Sequence, residues 1–112
     1  ALEEKFAEYQ DEYFCQPLEK FSENLEALQN IIDYCADKNI HLRVVWMPWN
    51  PMFEKPELVT SLRAKTDQLL NAAGIEILDL EDEFPTECFY DTGHLNYDVG
   101  SEQFTKRIDE WL

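Results

Sequence analysis

Apolar residues recur at steps of three and four along four stretches of the chain, and two short runs break that rhythm. Leu18, Phe21, Leu25, Leu28, Ile32 and Cys35 form one stripe, widened by Ile31, which predicts a helix from Leu18 to Lys38. Ahead of it, Leu2, Phe6, Tyr9 and Tyr13 predict a helix ending near Phe14. Pro17 separates the two and is tolerated in a helix's first turn. Leu58, Leu62, Leu69 and Leu70 predict a third helix from Glu57 to Ala73, with Gly74 as its stop. A last helix runs from Tyr97 to Leu112, with Val99, Phe104, Ile108 and Trp111 facing inward.

The two runs that break the rhythm read as strands. Asn39, a residue that tolerates left-handed backbone, stops the second helix after Lys38. Ile40–Met47 is rich in strand-favouring residues, and Val44–Met47 is apolar throughout, as in a parallel strand covered on both faces. Pro48, Pro51 and Pro56 make the following stretch a loop. Ile75–Leu80 is the second strand, and residues 81–96 form an irregular acidic loop. Strand, helix and strand with short connections make a βαβ unit, hence parallel pairing. The order α-α-β-α-β-α places the chain in the α/β class, as a partial three-layer, flavodoxin-like arrangement. Two strands make a thin sheet, so its open edge is expected to pair with a segment outside this chain or with a second copy of it.

At 112 residues the chain is one domain or the C-terminal portion of one. No apolar run reaches the roughly 18 residues needed to span a bilayer, and no signal-peptide pattern opens it. Composition narrows the partners. Formal charge is −15, and residues 76–91 hold seven acids with no Lys or Arg. Such a surface repels phosphate backbones and anionic headgroups, which argues against nucleic acid and membrane surfaces. Cys15, Cys35 and Cys88 are an odd number without Cys-x-x-Cys spacing, which points away from a disulfide framework or a zinc site. The compartment stays open.

Ligand sites in open α/β sheets lie beyond the carboxyl ends of the strands. Both the Trp49–Pro56 loop and the 81–96 loop leave that edge. The second carries Asp91 and His94, three residues apart and just ahead of a helix. A carboxylate that accepts the Nδ1 proton of an imidazole fixes its tautomer and leaves Nε2 as a general base. Gly93 is expected to allow the tight turn between them, Asn96 to cap the last helix, and Gly100 to let that helix approach a neighbouring backbone. The plain structural alternative is a turn in which Asp91 bonds its own backbone and His94 is a surface residue.

The segment Asp91-Thr92-Gly93-His94-Leu95-Asn96, with Gly100 beyond it, resembles the C-terminal block of the SGNH (GDSL-like) hydrolase superfamily. The helix Leu18–Lys38, the strand Ile40–Met47 and the βα elements that follow are similar to the second half of that fold. Among its members, the chain looks like the SGNH-like domains of bacterial cell-surface O-acetylation and D-alanylation proteins. The resemblance implies that Asp91 and His94 are the catalytic Asp and His of a Ser-His-Asp triad acting on a small-molecule or carbohydrate ester. It implies no cofactor and no metal. The family's Gly-Asp-Ser-like turn is missing. The serines here, Ser22, Ser61 and Ser101, all fall in predicted helices, and none lies on a strand-to-helix turn. On this reading the chain supplies the Asp-His end of an esterase or O-acyltransferase and is inactive alone. A non-catalytic α/β binding or interaction module is the rival.

Further candidates surround the dyad. Trp46, Trp49, Met52 and Phe53 cluster about two prolines; Trp49 and Phe53, with Asn50, are candidates for one wall of a substrate pocket, although packing of this loop over the helices explains them too. Cys88 and His94 could form a Cys/His pair, but Glu87 and Asp91 would raise the thiol pKa and so work against it. Asp91, His94, Asp98 and Glu87 offer atoms for a metal without a recognisable ligand pattern. His41 opens a strand and reads as structural.

Overall fold

The computed structural model describes residues Ala1–Leu112. Helix α1 spans Leu2–Tyr9 and passes into a wider, π-type turn at Gln10–Phe14. A 3₁₀ turn at Leu18–Phe21 leads into α2, Ser22–Asp37. Then come strand β1 at Arg43–Trp46, helix α3 at Glu57–Ala72, strand β2 at Glu76–Asp79, a 3₁₀ turn at Thr86–Cys88, and α4 at Gly100–Trp111. The strands form one two-stranded parallel sheet, so the chain is a mixed α/β protein with four helices. No helix is long and apolar enough to cross a membrane.

The backbone divides into two compact units, each built from separate stretches. One comprises Ala1–Glu8, Val45–Glu54 and Leu78–Leu112; the other comprises Tyr9–Val44 and Lys55–Ile77.

In the second unit, α3 packs against α2, the Leu18–Phe21 turn and the π turn. Ile32 and Leu70 are the buried residues of these helices. Both α2 and α3 end in the same way. Asn39 (φ 57°) and Gly74 (φ 68°) take left-handed backbone, as expected of them. The amide of Ile40 then donates to the Cys35 carbonyl (2.8 Å) and that of Asn39 to Ala36 (3.2 Å). Ile75 donates to Leu70 (3.0 Å) and Gly74 to Asn71 (3.1 Å). This paired closure satisfies the orphan carbonyls of a helix end and turns the chain out of the helix axis. Each strand starts within four residues of its closure.

In the first unit, Leu80, Phe84 and Cys88 form the buried core, with Val45, Leu78, Phe89, Leu95, Phe104 and Ile108 packed on it. Hydrogen bonds from Leu80 to the Trp46 carbonyl (3.2 Å) and from Trp49 to Glu81 (2.8 Å) continue the pairing beyond the strands. They fix the start of both loops that leave the carboxyl ends of β1 and β2.

Five expectations are corrected. The strands are shorter than the apolar runs, because each has one neighbour and pairs over few residues; β1 excludes Met47, which is exposed. Its four residues are half-buried, not covered on both faces. Ile31 is exposed, so the buried stripe of α2 is narrower than its apolar stripe. The last helix starts at Gly100, since Asn96 folds residues 97–99 into a turn, and Val99 is exposed.

Candidate functional site

Residues 88–96 form a tight antiparallel hairpin. Phe89 and Leu95 pair across it. The amide of Tyr90 donates to the His94 carbonyl (2.7 Å), and that of Asn96 to the Cys88 carbonyl (2.8 Å). Side chains alternate across a strand pair. Phe89 and Leu95 pack on the core, so Tyr90 and His94 project from the opposite face, and both are exposed. Asp91-Thr92-Gly93 is the three-residue loop that closes the hairpin.

Within that loop the Asp91 carboxylate organises four contacts. Oδ1 accepts the amides of Gly93 (2.9 Å) and His94 (2.7 Å). His94 Nδ1 lies 3.0 Å from Oδ1 and 2.9 Å from Oδ2. With Asp91 ionised, the carboxylate can only accept, so Nδ1 carries the proton and Nε2 is the free base. The Gly93 amide is the main influence holding the Asp91 carboxyl below the usual range, with the His94 amide and imidazole adding to it against partial burial. His94 has 83% of its side chain accessible and Asp91 32%, so Nε2 faces solvent.

Gly93 is not required for this geometry. Its φ is not left-handed and a Cβ there would meet nothing within 4 Å. The Asx-type turn rests on its backbone amide, which any residue but proline supplies.

Two asparagines anchor the hairpin. Asn96 Oδ1 accepts the amides of Val99 (3.0 Å) and Gly100 (2.8 Å), closing the turn that leads into α4, whose N-cap is Val99 rather than Asn96, while Nδ2 donates to the Glu87 carbonyl (2.6 Å). Asn50, in the loop after β1, is 1% exposed. Its Nδ2 donates to the Asp91 carbonyl (3.1 Å), and its Oδ1 accepts the Met52 amide (3.1 Å). Of the three residues expected to line a substrate pocket, Asn50 is therefore joined to the dyad loop, but through backbone and out of solvent. Phe53 is buried and stacks on Phe6 (centroids 4.6 Å), and Phe6 also meets Trp49 edge-on (6.1 Å). Trp49 Nε1 donates to the Phe53 carbonyl (2.7 Å). These rings hold α1 against the loop.

Cys88 is buried, 3.6 Å from Gln103 Oε1, and burial is the first cause raising its thiol pKa, with the Glu87 charge second. Its side chain belongs to the buried core, whereas His94 is exposed. No three or more His, Cys, Asp and Glu side chains are grouped so as to hold a metal ion. His41 lies 3.5 Å from Glu76, which also pairs with Arg43 (3.7 Å), at the amino ends of the strands. Ser22, Ser61 and Ser101 are all in helices.

The sequence reading missed the register that sets Tyr90 beside His94, although the alternation Phe89-Tyr90 and His94-Leu95 carries it. It also missed that the Asn50 amide is spent on backbone, for which a single sequence holds no signal. No protein-family model, curated protein or solved structure matches the chain.

Proposed function

We propose that this chain supplies the Asp-His part of an SGNH-like esterase or O-acyltransferase centre, with the serine nucleophile contributed by a segment outside these 112 residues. The observation that carries the reading is the bidentate approach of the Asp91 carboxylate to His94 Nδ1, at 3.0 and 2.9 Å, with Nε2 left accessible. Asp91 orients the imidazole and stabilises it once protonated; His94 Nε2 takes the serine proton as the hydroxyl attacks an ester carbonyl. The proton then passes to the leaving alcohol. Water or a sugar hydroxyl, deprotonated at the same nitrogen, then attacks the acyl-serine carbonyl, and the imidazolium returns that proton to the departing serine oxygen.

The test is fluorophosphonate labelling of the complete gene product, beside the isolated 112-residue chain. Labelling of the complete product that disappears in His94→Ala, with none in the isolated chain, is expected. A complete product that does not label, or labels equally well as His94→Ala, overturns the reading.

One observation favours the rival, a non-catalytic binding or interaction module. Asp91 Oδ1 already accepts two backbone amides, so the turn is closed without help from the imidazole. On that reading His94→Ala leaves every property of the complete protein unchanged except local surface chemistry.

A further inference from the structure

The loop after β1 and the dyad hairpin are 41 residues apart in sequence and meet through one buried side chain, that of Asn50. Its amide is fully assigned by its surroundings. The Met52 N–H can only donate, so it faces Oδ1; the Asp91 C=O can only accept, so it faces Nδ2. Turning the amide over would set donor against donor and acceptor against acceptor. At 1% exposure Asn50 has no surface to offer a substrate.

The carbonyl it holds belongs to the residue whose carboxylate meets His94. Asp91 is thus fixed at both ends, its carbonyl by Asn50 and its Oδ1 by the amides of Gly93 and His94. The hairpin's backbone ties, Tyr90 to His94 and Asn96 to Cys88, set its register without engaging the Asp91 carbonyl. The buried Asn50 amide reaches that carbonyl from outside the hairpin. Buried polar groups are costly to leave unpaired, so this bond favours one loop conformation over its neighbours.

We infer that Asn50 is a positioning residue for the Asp91–His94 pair: it holds the Asp91 backbone so that the carboxylate selects the Nδ1–H tautomer of His94 and keeps Nε2 free. This rests on the dyad reading of the site, and it replaces a substrate-binding role for Asn50.

The measurement is the imidazole ¹⁵N chemical shifts of His94 in the ¹⁵N-labelled 112-residue chain, above the histidine titration range. Free histidine favours the Nε2–H tautomer, so a predominantly Nδ1–H His94 reports the carboxylate at work. Wild type is expected to show Nδ1–H as the major form. Asn50→Asp keeps the acceptor for Met52 but turns the donor toward Asp91 into a second acceptor of nearly the same shape. It is expected to fold, by its dispersed amide spectrum, and to carry Nδ1–H as the minor form. Asn50→Ser, which retains a hydroxyl for the Met52 amide and cannot span to Asp91, is expected to do the same should the buried carboxylate prevent folding. A folded variant of either kind with the wild-type tautomer ratio overturns the positioning role. A wild-type His94 that is mainly Nε2–H overturns the dyad, and the assignment with it. Because the tautomer is read without turnover, a complete gene product that fails to label with fluorophosphonate leaves this result standing on its own.

Discussion

The Cα of Gly100 lies directly against the backbone carbonyl of Cys88, so that a Cβ at position 100 would overlap the Cys88 oxygen and stand 3.0 Å from its carbon and 3.1 Å from Leu95 Cβ. Replacing glycine by alanine early in a helix ordinarily stabilises it by a few tenths of a kcal/mol or more. Here the obstacle is backbone, which cannot swing aside. Gly100→Ala is expected to destabilise the chain by about 1–3 kcal/mol, the usual cost of overpacking, seen as a lower urea midpoint. Gly93→Ala, with open space around it, should change the midpoint by no more than about 0.5 kcal/mol. Equal effects of the two would contradict the close approach.

Asp91 links the hairpin to pH. Its folded-state pKa is held low, first by the Gly93 amide and then by His94. A depressed carboxylate pKa means that the unfolded chain binds the proton more readily, so stability rises with pH across that range. The contribution is complete above the ordinary carboxylate value near pH 4, and it is lost as pH falls through the lower folded value. Asp91→Asn retains an acceptor for the two amides but cannot titrate. Its urea midpoint should therefore drop less than that of wild type between pH 7 and pH 3, and parallel curves would remove Asp91 from the account.

Arg107 on α4 grips Glu83 with two nitrogens, Nε to Oε2 at 2.9 Å and Nη2 to Oε1 at 3.2 Å. Bidentate geometry is the favourable case for an ion pair, and this one holds the Glu83 carboxyl below its usual range. Both side chains are over a third exposed, so solvent screening limits the gain. A double-mutant cycle with Arg107→Ala and Glu83→Ala should give a small favourable coupling that shrinks in 0.5 M salt. A coupling that is absent at low salt would show that the pair merely coexists on the surface.

Two of the thiols should separate cleanly by reactivity. Cys15 is exposed and Cys88 is buried with a raised pKa. Since thiolate is the reactive species, iodoacetamide at pH 7.5 should label Cys15 readily and Cys88 only after urea unfolding, as read by peptide mass mapping. Fast labelling of Cys88 in the folded chain would reopen a Cys/His nucleophile pair.

Much of the framework is visible in the residue pattern because it depends on local chemistry. The stops at Asn39 and Gly74, the turn closed by Asn96 and the close approach at Gly100 each follow from what one residue type can do. The errors arise where a neighbour decides. Ile31 and Val99 have the right spacing to be inward, but the structure brings no apolar surface to cover them. Spacing of three and four also fails to distinguish α1 from the π turn that extends it at Gln10–Phe14, since both keep apolar residues on one side. Within the site, Asp91 and His94 are near in sequence and their pairing is local, whereas Asn50 reaches them only through tertiary folding. The stacking of Phe6 on Phe53 likewise joins segments far apart in the chain.

The hairpin's alternation carries a constraint on heredity. Phe89 and Leu95 point to the core and Tyr90 and His94 to solvent because they occupy alternate positions on two paired arms that a three-residue turn joins. Changing Thr92 or Gly93 alters composition and leaves that parity intact. Deleting or inserting a single residue there changes the turn that joins the arms, and a slip of one arm by one residue would break the pairing of Phe89 with Leu95 and turn its neighbours to the other face. Across descendants of this sequence, Thr92 and Gly93 should drift in letters while Asp91 and the length of the loop stay fixed.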